Sequence, residues 1–225
     1  MAEDTGTPTD PVWGDLGLVV ESYNSLPTTP RAMDPTVLRD ASNGKIYLVF
    51  GSHAGGIYST ELNPATKKLM TSPDVPETTQ QPSRFTRLAQ HMNPEGDESD
   101  IEAPYAYRSG EYFYLFANWG KCCSGTASTY KTVVGRSTSM SGPFVDKAGN
   151  EMVSGGGTVF LNAEDRYLGP GHAGIMQLDD GSHIFTFHFY DGNDNGISKL
   201  GVRKLTWGSD GWPLLGGHLV DQPPY

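Results

Sequence analysis

Two carboxylates and one imidazole occur at matching points of three similar segments. Asp34 lies in AMDPTVL, Glu102 in DIEAPYAY and His172 in GPGHAGI, at intervals of 68 and 70 residues. Two carboxyl groups at one site suit acid and base chemistry at a glycosidic bond, because a charged carboxylate raises the pKa of its neighbour, which then keeps a proton to deliver. We therefore predict that Glu102 is a general acid and that Asp34 modulates its pKa.

Each of these residues also has a purely structural explanation. An aspartate before Pro35 is typical of a turn, and a glutamate such as Glu102 is common on protein surfaces. His172 fits a structural histidine in a glycine-rich turn. Only their shared place in the repeats favours a joint role, so the prediction depends on the fold.

The segments that carry these residues share a pattern. After its polar residue each runs through a short apolar strand, turns at Asn43-Gly44, Ser109-Gly110 or Asp180-Gly181, and returns in an aromatic-rich strand. Such dipeptides favour β-hairpins, and a third strand follows in every unit. Repeated antiparallel sheets are typical of a β-propeller. The sequence thus predicts an all-β propeller whose opening strands bring the three polar residues to one end of a central channel.

The chain is predicted to form one domain, residues 1–225, with residues 1–12 as a tail. Its 225 residues suffice for one core, and 28 glycines and 16 prolines divide the apolar residues into short runs. The repeat interval exceeds the roughly 40–50 residues of typical propeller blades. The polar segment 63–98, which has room for a strand or two, and the segment WGKCCSGTAST are therefore predicted to be insertions that form cleft walls.

Charge and hydropathy argue against several classes of partner. A net charge of −10 disfavours nucleic acid, whose binding needs a basic surface, and is compatible with a neutral carbohydrate. No segment reaches the roughly eighteen apolar residues of a membrane span, and the acidic start MAEDTGTPTDP lacks the features of a signal peptide. The adjacent Cys122 and Cys123 form either a vicinal disulfide or two thiols.

Several motifs in their order resemble one family. AMDPTVL, FGSHAGGIYSTELNP, IEAPYAY, WGKCCSGTASTYKTVVGRS, GPGHAGI and SDGWP are similar to the arabinanase branch of glycoside hydrolase family 43, from about Trp13 to Pro213. The resemblance implies a five-bladed β-propeller that cleaves α-1,5-linked L-arabinan with inversion, most often internally. It also implies a secreted monomer that binds arabinan or arabino-oligosaccharides.

The resemblance assigns roles to individual residues. Glu102 matches the general acid, Asp34 the residue that orients it and modulates its pKa, and His172 the residue associated with a hydrated metal ion, usually calcium. The KCCSGT match implies that the two cysteines form a vicinal disulfide. The residues expected to border the cleft and contact substrate are Ser52, His53 and Trp119.

The sequence departs from the family at its beginning. An inverting hydrolase needs a second carboxylate as general base, about 6.5–9.5 Å from the acid, and in the family this aspartate opens the first blade. VWGDLGLVV resembles the end of that blade, so we expect the chain to lack most of it and the base with it. Asp10 is interpreted as a tail residue. Arg31 and His53 replace a more common asparagine and aromatic residue.

Other functions fit the same sequence. The chain is a hydrolase by resemblance, but loss of the base favours a carbohydrate-binding propeller without turnover. The family also contains α-L-arabinofuranosidases and β-xylosidases, whose bond preference depends on loops. A purely structural propeller at a protein interface fits the retained Glu102 and Asp34 least well.

Overall fold

The computed structural model describes residues 2–4, 12–22, 30–70, 77–78, 84–93 and 99–219, in which strands dominate. Short runs of aromatic and β-branched residues form the strands, and glycine-containing turns end them. The strands are β1 (Ala2–Asp4), β2 (Trp13–Asp15), β3 (Val20–Glu21), β4 (Thr36–Arg39), β5 (Ile46–Phe50), β6 (Ile57–Leu62), β7 (Glu77–Thr78), β8 (Thr86–Ala89), β9 (Glu102–Ser109), β10 (Tyr112–Trp119), β11 (Lys131–Ser137), β12 (Thr158–Leu161), β13 (Tyr167–Gln177), β14 (His183–Asp191), β15 (Ile197–Trp207) and β16 (Pro213–His218).

Three four-stranded antiparallel sheets form the body of the molecule, and we call them blades A, B and C. Their strand orders are β4-β5-β6-β8, β9-β10-β11-β12 and β13-β14-β15-β16. The first hairpin of each blade closes at the predicted dipeptide, where Gly44, Gly110 and Gly181 have φ of 76°, 59° and 81°. These left-handed values favour glycine. The three four-stranded antiparallel sheets confirm the predicted all-β propeller architecture. The fourth strand of blades B and C was not predicted, whereas β8 lies in the segment where a further strand was expected.

Two small sheets complete the described strands. β3 pairs in parallel with β7. β1 pairs with β2, so Ala2–Asp4 forms a strand although residues 1–12 were predicted to be a tail. Asp10 lies outside the described residues. No helix in the described ranges is both long and apolar enough to cross a membrane.

Blade B is buried on both faces. Strand side chains alternate between two faces, and in β10 the odd-numbered Phe113, Leu115 and Ala117 join the apolar cluster that includes residues of blade A. Tyr114 and Phe116 join the cluster that includes residues of blade C. The aromatic run YFYLFANW is therefore apolar at consecutive positions because each of its faces packs against a different blade.

A buried ion cluster fixes the end of β14 in blade C. The side chain of Asp191 is fully buried and accepts hydrogen bonds from Arg166 through both carboxylate oxygens and from the backbone N–H of Asn193 at 2.9 Å. Lys199 Nζ on β15 lies 2.9 Å from the same carboxylate and 2.8 Å from Asp194. Charge-assisted bonds of this kind are stronger than neutral ones, so the cluster holds the β14–β15 turn in place.

Candidate active site

A non-glycine residue in the left-handed region lies in the opening strand of blades B and C and two residues before that of blade A. Asp34, Ala103 and His172 have φ of 51°, 51° and 56°, at equal intervals of 69 residues. A positive φ is uncommon for non-glycine residues, and such strained positions cluster at functional sites. The residue of blade B that is structurally equivalent to Asp34 and His172 is thus Ala103. Glu102, which the internal repeats of the sequence had placed at that position, lies one residue earlier.

A β-bulge explains why Glu102 stands just before an Ala-Pro pair. Phe116 pairs with Tyr105 and Asn118 with Glu102, so β9 carries one extra residue between these pairs. Pro104 has no N–H to donate and is tolerated at a bulge, and bulges near active sites redirect side chains. The Ala-Pro pair therefore sets the orientation of the Glu102 side chain.

Glu102 is surrounded by hydrogen-bond donors. Ser52 Oγ donates to Oε2 at 2.9 Å, His53 Nε2 lies 3.3 Å from the same oxygen, and the Tyr130 hydroxyl also donates to this carboxylate. The Glu102 side chain is only 13% exposed. Burial raises its pKa, but the hydrogen bonds and the charge of His53 outweigh burial and lower the pKa to about 2. In the free chain these contacts favour the ionised form of Glu102, whereas the sequence led us to expect that a neighbouring carboxylate raises its pKa.

Asp34 reaches the acid through the backbone of blade B. Its Oδ2 accepts a hydrogen bond from the N–H of Ala103 at 3.2 Å. This contact joins the start of blade A to the residue after Glu102 and helps to hold the bulge. The structure thus brings Asp34 and Glu102 together and supports an orienting role for Asp34, which stays a prediction in its catalytic part.

A glycine-rich loop between β5 and β6 brings Ser52 and His53 against blade B. A Cβ atom on Gly51 would lie 2.2 Å from the carbonyl oxygen of Gly56, and one on Gly56 would lie 2.3 Å from that of Ala89. These close backbone approaches require glycine. The N–H of His53 then donates to the carbonyl of Ile101 at 2.8 Å, which fixes the loop beside Glu102.

Ser52 and His53 differ in their access to a ligand. Ser52 is 2% exposed and its hydroxyl bonds to Glu102. It supports the acid, so the expectation that it contacts substrate is not met. His53 and Trp119 line a cleft of about 820 Å³, as predicted for both residues.

The cleft wall contains a stacked aromatic pair. The rings of Trp119 and His91 lie 3.9 Å apart at an interplanar angle of 17°, and His91 Nδ1 contacts the carboxylate of Asp100. The same wall carries Lys121 and Lys131. An indole ring offers an apolar face with a polar edge, a surface suited to the mixed faces of a sugar.

His172 sits over a polar contact that the sequence did not reveal. Its N–H donates to Oδ1 of the buried Asn118 at 3.0 Å, and Asn118 Nδ2 donates to Thr132 Oγ1 at 3.2 Å. A Cβ on Gly171 would lie 2.2 Å from Asn118 Nδ2 and 2.4 Å from the Tyr130 ring. The GPGH motif alone does not indicate that Gly171 and His172 contact Asn118 and Tyr130.

The close approach at Gly171 gives a testable expectation. Because overpacking a filled site costs about 1–3 kcal/mol, Gly171→Ala is expected to lower the free energy of unfolding by that amount, measured by urea denaturation. Gly217→Ala is the control, since a Cβ there meets nothing within 4 Å. Equal effects of the two substitutions would contradict the packing described here.

The described side chains do not form a metal cage. His172 is exposed, and no group of three His, Cys, Asp or Glu residues suited to a metal occurs in the described part of the chain. Calcium prefers six to eight oxygen ligands, so an ion at His172 would take most ligands from water or from other segments. The calcium site stays a prediction, and no chemical step below depends on it.

Cys122 and Cys123 form a vicinal disulfide, which confirms the pairing that the resemblance implied. The N–H of Cys123 donates to the Tyr190 hydroxyl at 2.7 Å. This bond ties the loop after β10 to β14, and so joins blades B and C at the edge of the cleft.

No general base is assigned within the described ranges. Inversion needs a second carboxylate at about 6.5–9.5 Å from the acid. Asp15 lies on β2, whose pairing partner is β1, and Asp100 is occupied by His91. The residue predicted to be the general acid thus lies beside the cleft, and the general base stays unassigned.

Antiparallel propeller blades that hold two carboxylates beside an aromatic-lined cleft define a glycosidase-type β-propeller. Residues 7–213 match the model of the glycosyl hydrolases family 43. The chain belongs to this family.

Relatives of known name agree with that assignment. The extracellular exo-α-(1→5)-L-arabinofuranosidase ArbA of Cellvibrio japonicus is 35% identical over 209 residues, which are 93% of this chain and 58% of the relative. The extracellular endo-α-(1→5)-L-arabinanase 1 of Bacillus subtilis is 38% identical over 201 residues, 89% of this chain and 55% of the relative. The chain therefore spans little more than half the length of these relatives.

Solved structures share the fold. An exo-1,5-α-L-arabinanase from a bovine ruminal metagenomic library superposes with a TM-score of 0.82 at 36% identity, covering 96% of this chain and 66% of that one. The Cellvibrio cellulosa α-L-arabinanase complexed with arabinohexaose gives a TM-score of 0.77 at 32% identity, covering 94% and 65%.

Proposed function

We propose that this chain acts in the hydrolysis of α-1,5-linked L-arabinan, with Glu102 as the general acid that protonates the leaving oxygen. The observation that carries the proposal is the largely buried Glu102 carboxylate beside the cleft, bonded to Ser52, His53 and Tyr130. Asp34 holds the adjacent backbone. Relatives named as arabinanases support arabinan as the substrate.

The acid operates by differential stabilisation. Donors around Glu102 stabilise its carboxylate, which is the form that remains after the proton has moved to the leaving oxygen. Trp119 would pack against a sugar ring in the cleft, and Asp34 would keep the bulge of β9 in register. The water that attacks the opposite face needs a base from a residue not assigned above, or from another segment.

The direct test is release of reducing ends from linear α-1,5-arabinan by the purified chain, with Glu102→Gln as the blank. Release that depends on Glu102 supports the proposal. Product lengths distinguish internal from terminal cleavage, and the relatives include both types. Preferential release from xylo-oligosaccharides or from a short terminal arabinofuranoside would instead favour the other activities of the family.

A carbohydrate-binding propeller is the second candidate, because no general base is assigned in the described residues. Calorimetric titration with arabinohexaose separates the two functions. Binding without product formation supports the second candidate, whereas binding with Glu102-dependent turnover supports the first. Absence of any saccharide affinity would contradict both.

We also propose that the protein is secreted, because the names of two relatives describe them as extracellular. We further propose that it is a monomer whose ligand is an arabino-oligosaccharide. Light scattering of the purified chain tests the monomer, and detection of the mature protein in culture medium tests secretion. An absence of binding to DNA fragments at low salt is expected from the charge of −10.

Calcium at His172 is tested by thermal unfolding. If calcium binds the folded chain alone, a concentration 100 times its dissociation constant stabilises that chain by about 2.7 kcal/mol. We expect the melting temperature of chelator-treated protein to rise on calcium addition, and His172→Ala to reduce that rise. An equal rise in both proteins would place the ion elsewhere, and no rise at all would argue against calcium.

A further inference from the structure

The His53 ring contacts a polar partner through each of its nitrogens. Nδ1 lies 3.2 Å from the carbonyl oxygen of Ser99, and Nε2 lies 3.3 Å from Oε2 of Glu102. The backbone N–H of His53 is bonded to Ile101 at 2.8 Å. The ring is therefore held in one orientation between blade B and the segment that precedes it.

These partners restrict where the protons lie. A carbonyl oxygen only accepts hydrogen bonds, so Nδ1 carries a proton and donates to Ser99. The remaining contact joins Nε2 to a carboxylate oxygen, and a hydrogen bond there needs one further proton. That proton lies either on Nε2, giving an imidazolium and a carboxylate, or on Glu102, giving two neutral groups.

We propose that His53 is a positioning residue that shares one proton with Glu102 and supplies it for protonation of the leaving oxygen. The inference rests on the proposed function, since it concerns the same acid. It assigns to His53 a role in proton supply beyond the contact with substrate that was expected of it. In the free chain the proton is on Nε2, which agrees with the low pKa of Glu102.

Substrate binding changes the balance within the pair. A sugar in the cleft displaces water, and loss of water disfavours two charges more than two neutral groups. The proton then moves from Nε2 to Oε2. Glu102 transfers it to the glycosidic oxygen as the bond from that oxygen to the anomeric carbon breaks. Water forms the new bond to the carbon, and its released proton returns to the pair through solvent.

Other titratable groups near the pair do not replace this proton. Burial, together with the charge of Glu102, raises the pKa of Tyr130, so its hydroxyl stays protonated as a donor. Burial and the proximity of His172 lower the pKa of His188, which is neutral at pH 7. Among the residues that the structure describes, the other charged or titratable groups at the site and along the cleft include Asp34, His91, Asp100, Lys121 and Lys131.

Nuclear magnetic resonance tests the shared proton without any need for activity. Ring ¹⁵N shifts of His53 at pH 7, assigned by comparison with His53→Gln, are expected to show protons on both nitrogens, and the ¹³C shift of the Glu102 carboxyl to show an anion. In Glu102→Gln the Nε2 proton is expected to be lost at the same pH. A neutral His53 beside an ionised Glu102 in the wild type would overturn the proposal.

A second histidine provides the control for this measurement. His183 packs against Tyr107 and Trp207, and Tyr107 lies about 16 Å along β9 from Glu102 by the rise of an extended strand. The ring shifts of His183 are expected to be the same in wild type and Glu102→Gln. A matching change at His183 would mean that the substitution disturbs the whole fold, and the shared proton would lose its support.

Kinetics provide an independent readout. His53→Gln keeps a donor to Glu102 but has no proton to give, so the alkaline limb of kcat/KM on arabinan is expected to move to lower pH. The loss relative to wild type is expected to be at least about tenfold greater at pH 7 than at pH 5, because the fraction of a lone carboxylic acid that keeps its proton falls tenfold per pH unit above its pKa. An equal loss at both pH values indicates a structural role and overturns the proposal.

The outcomes separate the two proposals. If wild type releases no product but the ring shifts show the shared proton, the proposed hydrolysis fails and the paired proton stands. If wild type is active but His53→Gln has an unchanged pH profile, hydrolysis stands and the role of His53 is wrong.

Discussion

Glu102→Gln is expected to lower the hydrolysis of linear α-1,5-arabinan by about 10²- to 10⁴-fold, the usual contribution of a positioned general acid. The amide keeps the shape of the side chain and can still bond to Ser52, but it has no proton to transfer. The measurement is kcat for release of reducing ends. Glu111→Gln is the matched control, since Glu111 is exposed in the turn between β9 and β10.

A change of leaving group distinguishes acid catalysis from simple damage to the site. A nitrophenyl leaving group departs without protonation, so the activity of Glu102→Gln on nitrophenyl arabino-oligosaccharides is expected to fall much less than its activity on arabinan. Similar losses on both substrates would show that Glu102 acts in some way other than by protonating the leaving oxygen.

Asp191→Asn is expected to reduce the free energy of unfolding by about 3 kcal/mol at pH 7. This value is at the lower end for breaking a buried ion pair, because the side chains of Arg166 and Lys199 are 24% and 30% exposed. Asparagine has the size of aspartate but leaves the two cations facing a neutral amide. Urea denaturation measures the effect, and Asp194→Asn, which removes the 44% exposed partner of the same lysine, is expected to cost less than about 1 kcal/mol.

The effect of Asp191→Asn also depends on pH. Hydrogen bonds from Arg166 and Lys199 outweigh burial and hold the pKa of Asp191 far below its usual range. A depressed pKa adds stability above the pKa of the unfolded chain, near pH 4, and this contribution is lost as the pH falls further. Wild type and Asp191→Asn are therefore expected to converge in stability between pH 4 and pH 2. A constant difference over that range would contradict the ion cluster as its source.

Much of the fold was predictable because its signals are local. The dipeptides at Gly44, Gly110 and Gly181 determine hairpins from adjacent residues, and the alternation of side chains along β10 follows from strand geometry. The fourth strand of blade B was missed because β12 has only four residues and is separated from β11 by residues 138–157, so its place depends on pairing with β11 rather than on a local turn. In blade C the dipeptide Asp210-Gly211 precedes β16, so that strand could have been predicted from the same type of signal as the first hairpins.

The sequence predicted which residues form the site better than it predicted their hydrogen bonds and pKa values. Glu102, Asp34 and His53 were found from motifs, but Asn118 and Tyr130 are joined to the site only through folding. The sequence predicted a raised pKa for Glu102, and the donors around it in the free chain act in the opposite direction. The sequence suggested a neighbouring carboxylate as the dominant influence, whereas the structure surrounds Glu102 with donors from a distant loop and from the residue before β11.

The two-faced packing of β10 has a consequence for how this protein tolerates change. Blade B contributes residues to two hydrophobic clusters, one shared with blade A and one shared with blade C. A substitution in its aromatic strand therefore disturbs the packing of both neighbouring blades, whereas a substitution in the outer strands of blade A or C affects one cluster. Sequence drift should therefore be slowest in the blade that carries Glu102, even at positions that never approach a sugar. Variation in substrate preference is accordingly more accessible through the cleft loops than through the strands that support the acid.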